Sequence, residues 1–177
     1  MILDDTLARL VAAGPSEVRD AFVGFVSARG DAALRRDGGP EHVTASCFVF
    51  SPDLSSTLLC FHRKGGFWVQ FGGHIEADDA TIVATAQREA REESGIDDLE
   101  VTSDLIVDLE RHELHGRFAC TAHWDISFVA VVDPDAVVTV SDESLDVRWF
   151  PIHDLPSDVA PGLGTRLARA RDALTRE

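Results

Sequence analysis

The spacing of apolar residues predicts helices at the start of the chain. Residues 4 to 36 show the helical period, and a Gly-Pro pair divides them into two helices. Asp4 or Asp5 can cap the first helix and Ser16 the second, because a short polar side chain can accept from the N–H groups of a first turn. The apolar stripes of these helices fit packing on the same chain or on a second subunit, and we favour the same chain.

From His42 the period changes to two, which indicates a β-sheet. In the first strand the apolar positions alternate with Thr44 and Ser46. Further strands are predicted in the segments 57–63, 67–71, 99–114 (one strand or two), 122–132 and 147–150. An acidic helix ends at Gly95, which is well placed for a left-handed C-terminal cap, and a closing helix covers 164–175. The chain is thus divided into an N-terminal helical extension, residues 1–40, packed on one domain, residues 41–177.

The chain is strongly acidic, with a formal net charge of −15 and a pI near 4.7. Broad binding to nucleic acid or to anionic membranes needs basic patches, so this charge argues against both. The N-terminus lacks the basic start and apolar run of a signal peptide, and no segment approaches the roughly 18 apolar residues of a membrane span, so we expect a cytoplasmic protein. Cys47, Cys60 and Cys120 are odd in number and widely spaced, which favours reduced thiols over a disulfide framework.

The strongest chemical signal lies in residues 72–96, where a Gly-Gly pair, interpreted as a turn, is followed by the acidic helix. Glu89, Glu92 and Glu93 stand at i, i+3 and i+4, so their side chains leave the helix on nearly one side. At about 100° per residue from Ile82, the apolar stripe covers roughly 0° to 100°, and Glu93 falls at about 20°, Glu89 at about −20° and Glu92 at about −80°. The carboxylates therefore overlap the edge of the apolar stripe, where a carboxylate must be protonated, paired or bound to a cation. Arg88 can pair with Glu92, but one arginine cannot neutralise three glutamates, and Mg²⁺ prefers oxygen ligands of this kind. The alternative is a solvent-facing helix with a ladder of Glu and Arg side chains.

The same stretch resembles the signature of the Nudix hydrolases, Gly-x5-Glu-x7-Arg-Glu-U-x-Glu-Glu-x-Gly-U, in which U is a bulky apolar residue. The second half of the signature is intact. The matching residues are Gly73 for the first glycine, and then Arg88, Glu89, Glu92, Glu93, Gly95 and Ile96. The remaining positions depart from it, since Ala90 is smaller than usual at the first U and Asp79 replaces the first glutamate. In addition, eight residues rather than seven separate Asp79 from Arg88.

The resemblance implies an α+β protein with the Nudix fold, an α/β/α sandwich with a mixed β-sheet. It also implies hydrolysis of a diphosphate linkage in a nucleoside diphosphate derivative or nucleoside triphosphate, by attack of water on phosphorus, with Mg²⁺ or Mn²⁺ as cofactor. The implied metal ligands are three carboxylates and one carbonyl, those of Glu89, Glu92, Glu93 and Gly73. The catalytic candidates are Glu92, Glu89, Glu143 and Arg88, the last as a residue that orients a glutamate. The general base is either Glu143, in an acidic loop, or Glu89. Glu143 could instead be a solvated turn residue without a catalytic role.

Residues beside this stretch are candidates for binding the phosphorylated substrate. Arg63 and His74 could contact phosphate, and Trp68 could stack on a base. An exposed basic hairpin edge explains Arg63 equally well, and a core position is the commoner role of an aromatic residue in a strand. We expect Asp79 to cap or orient the helix without binding the metal.

Other interpretations fit parts of the sequence. The pairs His112-x2-His115 and Cys120-x2-His123 have spacings seen in zinc sites, but their ligand order is unfamiliar, and we interpret them as ordinary strand or surface residues. A catalytically inactive Nudix-fold ligand-binding module would not need three closely spaced glutamates. An isopentenyl diphosphate isomerase-like protein shares the fold but relies on a catalytic cysteine, and no cysteine lies in or next to the glycine pair. The sequence leaves the oligomeric state open, including a homodimer.

Overall fold

The fold is built on a mixed β-sheet of seven strands. The structure is a computed structural model that describes residues 1–114, 120–142 and 144–175. The strands are β1 (Glu41–Phe50), β2 (Ser56–His62), β3 (Phe67–Val69), β4 (Phe71–His74), β5 (Val101–Glu113), β6 (Ala122–Val131) and β7 (Ser144–Pro151). They follow the order β3-β2-β1-β6-β5, with β4 paired to β1 and β7 paired to β2. Strands β1 and β6 are parallel and the other pairs are antiparallel, which confirms the predicted mixed sheet.

Helices cover both faces of this sheet. They are α1 (Ile2–Ala12), α2 (Glu17–Arg29), α3 (Ile82–Ser94) and α4 (Leu163–Leu174). The alternating pattern of β1 separates the faces, because Ala45 joins an apolar cluster with Ala86 of α3. Phe48 packs in a second cluster with Leu167 of α4. The predicted α/β/α sandwich is therefore confirmed.

The second N-terminal helix packs against the sheet through aromatic rings. Phe25 of α2 stacks on Trp124 of β6 with ring centroids 4.4 Å apart, and Phe22 meets the same indole edge-on at 4.9 Å. Such aromatic pairs add about 0.5–1.5 kcal/mol each beyond the area they bury. The Ser16 hydroxyl accepts from the Arg19 N–H at 3.1 Å, which confirms the predicted cap of α2. These contacts agree with packing on the same chain, while the boundary at residue 40 stays a prediction.

The predicted cap of α1 is wrong. The helix begins at Ile2, so Asp4 and Asp5 lie inside its first turn rather than before it. The Asp5 carboxylate instead accepts from the Ile82 N–H at 3.0 Å and so caps the first turn of α3. A carboxylate at that end of a helix also opposes the positive end of the helix dipole. The N-terminal extension therefore helps to fix the start of the acidic helix.

None of the helices in the described ranges combines the length and the apolar character that a membrane span requires. Cys47, Cys60 and Cys120 are all free thiols, as predicted, and the first two are buried.

Candidate metal and catalytic site

The glycine pair is part of a strand and not only of a turn. Sequence analysis placed one strand over 67–71, whereas the structure breaks it and continues as β4, in which Gly72 pairs with Ser46 and Gly73 with Ala45 of β1. A Cβ atom on Gly72 would lie 2.6 Å from the Ser46 Cβ, so the two strands approach too closely for a side chain there. Glycine is needed at this position because of a close backbone approach.

Two of the three glutamates dock on this strand. A Cβ atom on Gly73 would lie 2.6–2.7 Å from the Glu89 carboxyl atoms, which means that the carboxylate sits directly over the glycine. The Glu93 carboxylate accepts from the Gly72 N–H at 2.9 Å. Strand β4 and helix α3 thus bring Gly73, Glu89 and Glu93 together, as the implied metal site requires.

Arg88 lies at the centre of the polar contacts. Its Nη1 donates to Glu89 at 3.0 Å and to Glu92 at 3.1 Å, and its Nη2 donates to the His74 carbonyl at 2.9 Å. The expected i,i+4 pair with Glu92 is present. The same guanidinium therefore orients two glutamates of α3 and ties the helix to the end of β4.

Asp79 binds the other edge of the same guanidinium. Its two oxygens accept from Arg88 Nε at 3.0 Å and Nη2 at 2.9 Å, and they also accept from the Thr85 hydroxyl and the Glu76 N–H. Burial alone would raise the pKa of Asp79, but the hydrogen bonds from Arg88, Glu76 and Thr85 and the charge of Arg88 together outweigh burial and hold the pKa below its usual value. The N-cap of α3 is Thr81, whose hydroxyl accepts from Ala84 N–H at 3.1 Å. Of the two roles predicted for Asp79, the structure supports orientation rather than capping of the helix.

The exposure of the three glutamates follows the helical rotation. Glu93 is 6% exposed, Glu89 is mostly buried, and the Glu92 side chain is 59% exposed. A group of carboxylates that runs from the core to solvent can hold a cation between fixed and accessible oxygens. Arg88 supplies one positive charge against Asp79 and these three glutamates. Carboxylate oxygens in this excess are the donor set that Mg²⁺ or Mn²⁺ prefers.

The remaining predicted site residues lie in different settings. Glu143 and His115 fall outside the described residues. Arg63 donates to the carbonyls of Asp142 at 2.9 Å and Ser144 at 3.2 Å, so it anchors the backbone on either side of Glu143. This contact gives Arg63 a defined structural role in addition to the predicted one.

Trp68 and His74 differ in what they offer to a substrate. Trp68 is only 7% exposed and packs edge-on against Phe61 and Phe150, which is the core alternative that the sequence left open. His74 is part of a group of histidine rings beyond the end of the glycine pair. Burial, and then the charge of His42, lower the pKa of His74 to about 4, so its imidazole is neutral at pH 7.

Cys60 was predicted to be a reduced thiol. Burial, and then the charge of Glu93, raise the pKa of the Cys60 thiol, which keeps this buried cysteine protonated.

A buried polar network on the opposite face of the sheet was not predicted. On this α4 face, Arg166 donates to Asp108 and to Asp125, both at 2.6 Å, and all three residues are buried. Polar residues at every second position of two otherwise apolar strands were the signal for this buried network.

Comparisons with known proteins give the same family as the signature. Residues 40–170 match the NUDIX domain. No curated protein sequence matches the chain. A hydrolase of the NUDIX family from Clostridium perfringens is 21% identical, covers 75% of this chain and 97% of its own, and superposes with a TM-score of 0.61.

Two further solved structures share the fold. An Ap4A hydrolase from C. elegans is 18% identical over 76% of this chain and 98% of its own, with a TM-score of 0.62. The NUDIX domain of Shewanella oneidensis NrtR, solved with ADP ribose, is 20% identical over 75% of this chain and 87% of its own, with a TM-score of 0.59. Because the NUDIX domain match spans most of the chain and includes the whole signature, this protein belongs to the Nudix hydrolase family.

Proposed function

We propose that this Nudix hydrolase is a divalent-metal-dependent pyrophosphohydrolase that cleaves a diphosphate linkage in a nucleoside diphosphate derivative or nucleoside triphosphate by attack of water on phosphorus. The main observation behind the proposal is that several carboxylates share the single guanidinium of Arg88. Asp79 occupies two of its nitrogens, and the third nitrogen is shared between Glu89 and Glu92. The resulting excess of negative charge favours a hard cation, Mg²⁺ or Mn²⁺.

Each residue of the site would have a separate role. Glu93 is fixed by the Gly72 N–H and Glu89 by its close contact with Gly73, so both can offer oxygens to a cation without reorganising. Glu92 is the accessible member of the group. Arg88 is a positioning residue, because it holds these carboxylates in place. When bound, the cation would neutralise charge on the phosphate oxygens and lower the pKa of the attacking water.

The general base is Glu89 or Glu143, and a pH profile separates the two. A general base must lose its proton before it can accept another, so kcat/KM should fall on the acidic side as that group becomes protonated. Glu89→Gln and Glu143→Gln are each made and assayed across this range. The variant that loses both rate and the acidic limb identifies the base, whereas a lower rate with an unchanged profile indicates a metal ligand or a positioning role.

The substrate class rests on the family and on what its members are solved with. The C. elegans relative is an Ap4A hydrolase, and the Shewanella oneidensis domain holds ADP ribose. Both compounds are nucleotides with a diphosphate linkage, which supports a small phosphorylated nucleotide as the substrate here. The net charge of −15 also favours a substrate that arrives with its own cations.

The test is a substrate panel in the presence of Mg²⁺. ADP-ribose, nucleotide sugars, dinucleoside polyphosphates and (d)NTPs are each incubated with the full chain, and released phosphate or nucleoside monophosphate is measured. Glu92→Gln and Glu93→Gln should remove turnover, while Glu17→Gln, the same chemical change at an exposed position of α2, should not. No turnover of any panel member, or unchanged turnover in the first two variants, would refute the proposal.

The same panel tests the inactive-module alternative. A ligand-binding module would bind a nucleotide, detected by calorimetry, without releasing product at any Mg²⁺ or Mn²⁺ concentration. An isomerase of the isopentenyl diphosphate type needs an accessible catalytic cysteine, whereas Cys60, whose thiol is affected by the charge of Glu93, is buried and held protonated. This burial argues against the isomerase, and the panel decides between hydrolysis and the inactive module.

A further inference from the structure

Histidine rings from four strands meet at one end of the sheet. His42 of β1 and His123 of β6 are direct partners in the parallel register, with ring centroids 4.9 Å apart. His74 of β4 contacts both rings, at 5.0 Å and 5.2 Å. His112 of β5 contacts His123 at 5.4 Å. The sequence had suggested ordinary strand histidines, but four ordinary histidines would not be expected to pack against one another.

His42 is the most constrained member of this group. It is 0% exposed, and neither of its ring nitrogens has a hydrogen-bond partner within the part of the chain that the structure describes. The backbone of Gly39 favours the charged imidazole slightly, but it makes no hydrogen bond of ordinary geometry to the ring. His74 Nε2 and His112 Nδ1 are also buried without a hydrogen-bond partner in the described residues. Unsatisfied buried nitrogens cost about 1–3 kcal/mol each, so a bound species that satisfies them is the physical explanation.

A cysteine completes the group. The Cys120 sulfur lies 3.6 Å from His123 Nε2, and this sulfur, one ring nitrogen of His123 and one ring nitrogen of His42 all lie within 4.8 Å of one another. Zinc bonds of about 2.3 Å to sulfur and about 2.0–2.1 Å to nitrogen, at tetrahedral angles, place these two atoms about 3.6 Å apart. The segment is held in place because the adjacent Thr121 N–H donates to the Pro40 carbonyl at 2.7 Å. The sulfur and nitrogen are thus already at the spacing of two zinc ligands.

We propose that His42, Cys120 and His123 bind a Zn²⁺ ion, with His74 as the fourth ligand. His74 is preferred over His112 because its ring contacts both other histidines, whereas the His112 ring contacts only that of His123 within the described residues. Nitrogen and thiolate donors select zinc over Mg²⁺, whereas the oxygen donors of the α3 carboxylates suit Mg²⁺ or Mn²⁺. The chain would therefore hold two metal sites of different chemistry, and the zinc site does not depend on the proposed hydrolysis.

This zinc site would join three strands and the segment that precedes β6. The pairs His112-x2-His115 and Cys120-x2-His123 were interpreted from the sequence as ordinary strand or surface residues, whereas the proposed ligand set is one that only the sheet brings together. Four protein ligands leave no open position, so the ion would have a structural role. Its removal should lower the melting temperature of the full chain, and its return should restore it.

Cobalt substitution tests the proposal directly. The full chain is stripped with a chelator, saturated with Mg²⁺ to fill the carboxylate site, and given one equivalent of Co²⁺. A tetrahedral site with a thiolate gives a sulfur-to-cobalt charge-transfer band, and Zn²⁺ should abolish this band on addition of one further equivalent. Cys120→Ser should remove the band and weaken Zn²⁺ binding at least about 100-fold, beyond the loss typical of supporting residues.

Two controls keep the result specific. Glu93→Gln, in the carboxylate site, and His153→Gln, an exposed histidine, should both keep the band. His42→Gln could fail to fold because the residue is fully buried, so the partly exposed Cys120 provides the decisive variant, with circular dichroism as the check on folding. No band in the unmodified chain, the same band in Cys120→Ser, or a band lost only in Glu93→Gln would each overturn the zinc site.

Discussion

Replacing Asp79 with asparagine tests the part of the signature in which this chain departs from its family. The change removes the negative charge and one acceptor oxygen but keeps the shape of the side chain. Asp79 accepts four hydrogen bonds, two of them from Arg88. In the variant an amide NH₂ group would face one of these donors, so at least one bond to the guanidinium is lost.

The magnitude follows from the charge and burial of the pair. A hydrogen bond to a charged group contributes about 1.5–3 kcal/mol to stability. The Asp79 side chain is nearly buried, but the Arg88 side chain is 21% exposed and is partly compensated by water and by Glu89. We therefore expect Asp79→Asn to lower the free energy of unfolding by about 2 kcal/mol, measured by urea denaturation followed by tryptophan fluorescence.

Metal affinity separates orientation from ligation. If Asp79 only orients Arg88, Asp79→Asn should weaken Mn²⁺ binding, measured by electron paramagnetic resonance, by no more than the about 10- to 100-fold typical of a supporting residue. Glu93→Gln removes a proposed ligand and should weaken binding by more than about 100-fold. Glu17→Gln serves as the matched control for the loss of a carboxylate. Loss of Mn²⁺ binding in Asp79→Asn as complete as in Glu93→Gln would refute the reasoning.

The stability difference should also depend on pH in a defined direction. Because the pKa of Asp79 is lower in the folded protein than in the unfolded chain, its stabilising effect is fully present above the unfolded value of about 3.9 and is lost as the pH falls through the folded value. Asparagine cannot titrate. The gap between the unmodified chain and Asp79→Asn should therefore be constant near neutrality and shrink below about pH 4. A gap that widens as the pH falls would contradict the sign of this shift.

Three further changes test neighbouring contacts. Gly73→Ala places a methyl group about where the Glu89 carboxylate lies, so Mn²⁺ affinity should fall more than about tenfold with the fold retained by circular dichroism, and unchanged affinity would contradict the close approach. Arg166→Met leaves buried carboxylates without their partner and should lower the free energy of unfolding, measured with urea, by about 3–5 kcal/mol. The control Arg169→Met, at a side chain that is 53% exposed, should lower it by less than about 1 kcal/mol, and equal losses would refute the burial argument. Asp5→Ala removes the cap contributed to α3 and should lower the unfolding free energy by about 1 kcal/mol, and no change would show that water replaces this cap.

Helical geometry explains why the acidic helix was predictable in detail. Its rotation alone ordered the three glutamates, with Glu93 nearest to the core and Glu92 nearest to solvent, and the structure has the same order. The Gly95 cap was predicted for a similar reason, since this residue adopts a left-handed conformation with φ of 69°. Such features depend on residues a few positions apart, so local sequence contains enough information to place them.

Features that join distant segments were not predictable in this way. Asp5 caps a helix 77 residues further along the chain, and no local pattern distinguishes it from a cap of its own helix. The glycine pair was interpreted as a turn because a strand position for Gly72 depends on how closely β1 approaches. The histidines are likewise separated in sequence and meet only through strand register. In each case the missing information was the pairing of strands and helices rather than the chemistry of the residues.

The buried polar network offers a physical reason for that pairing. In the parallel register of β1 and β6, Thr44 stands opposite Asp125 and Ala45 opposite Ile126, so polar residues meet on one face and apolar residues on the other. A slip of one residue would turn Asp125 toward the apolar cluster and away from Arg166, at the cost of an unpaired buried charge. The same register holds β1 where β4 can pair with it, and β4 carries the glycines on which the glutamates of α3 dock. The network on the α4 face thus helps to specify the geometry of the proposed metal site on the opposite face.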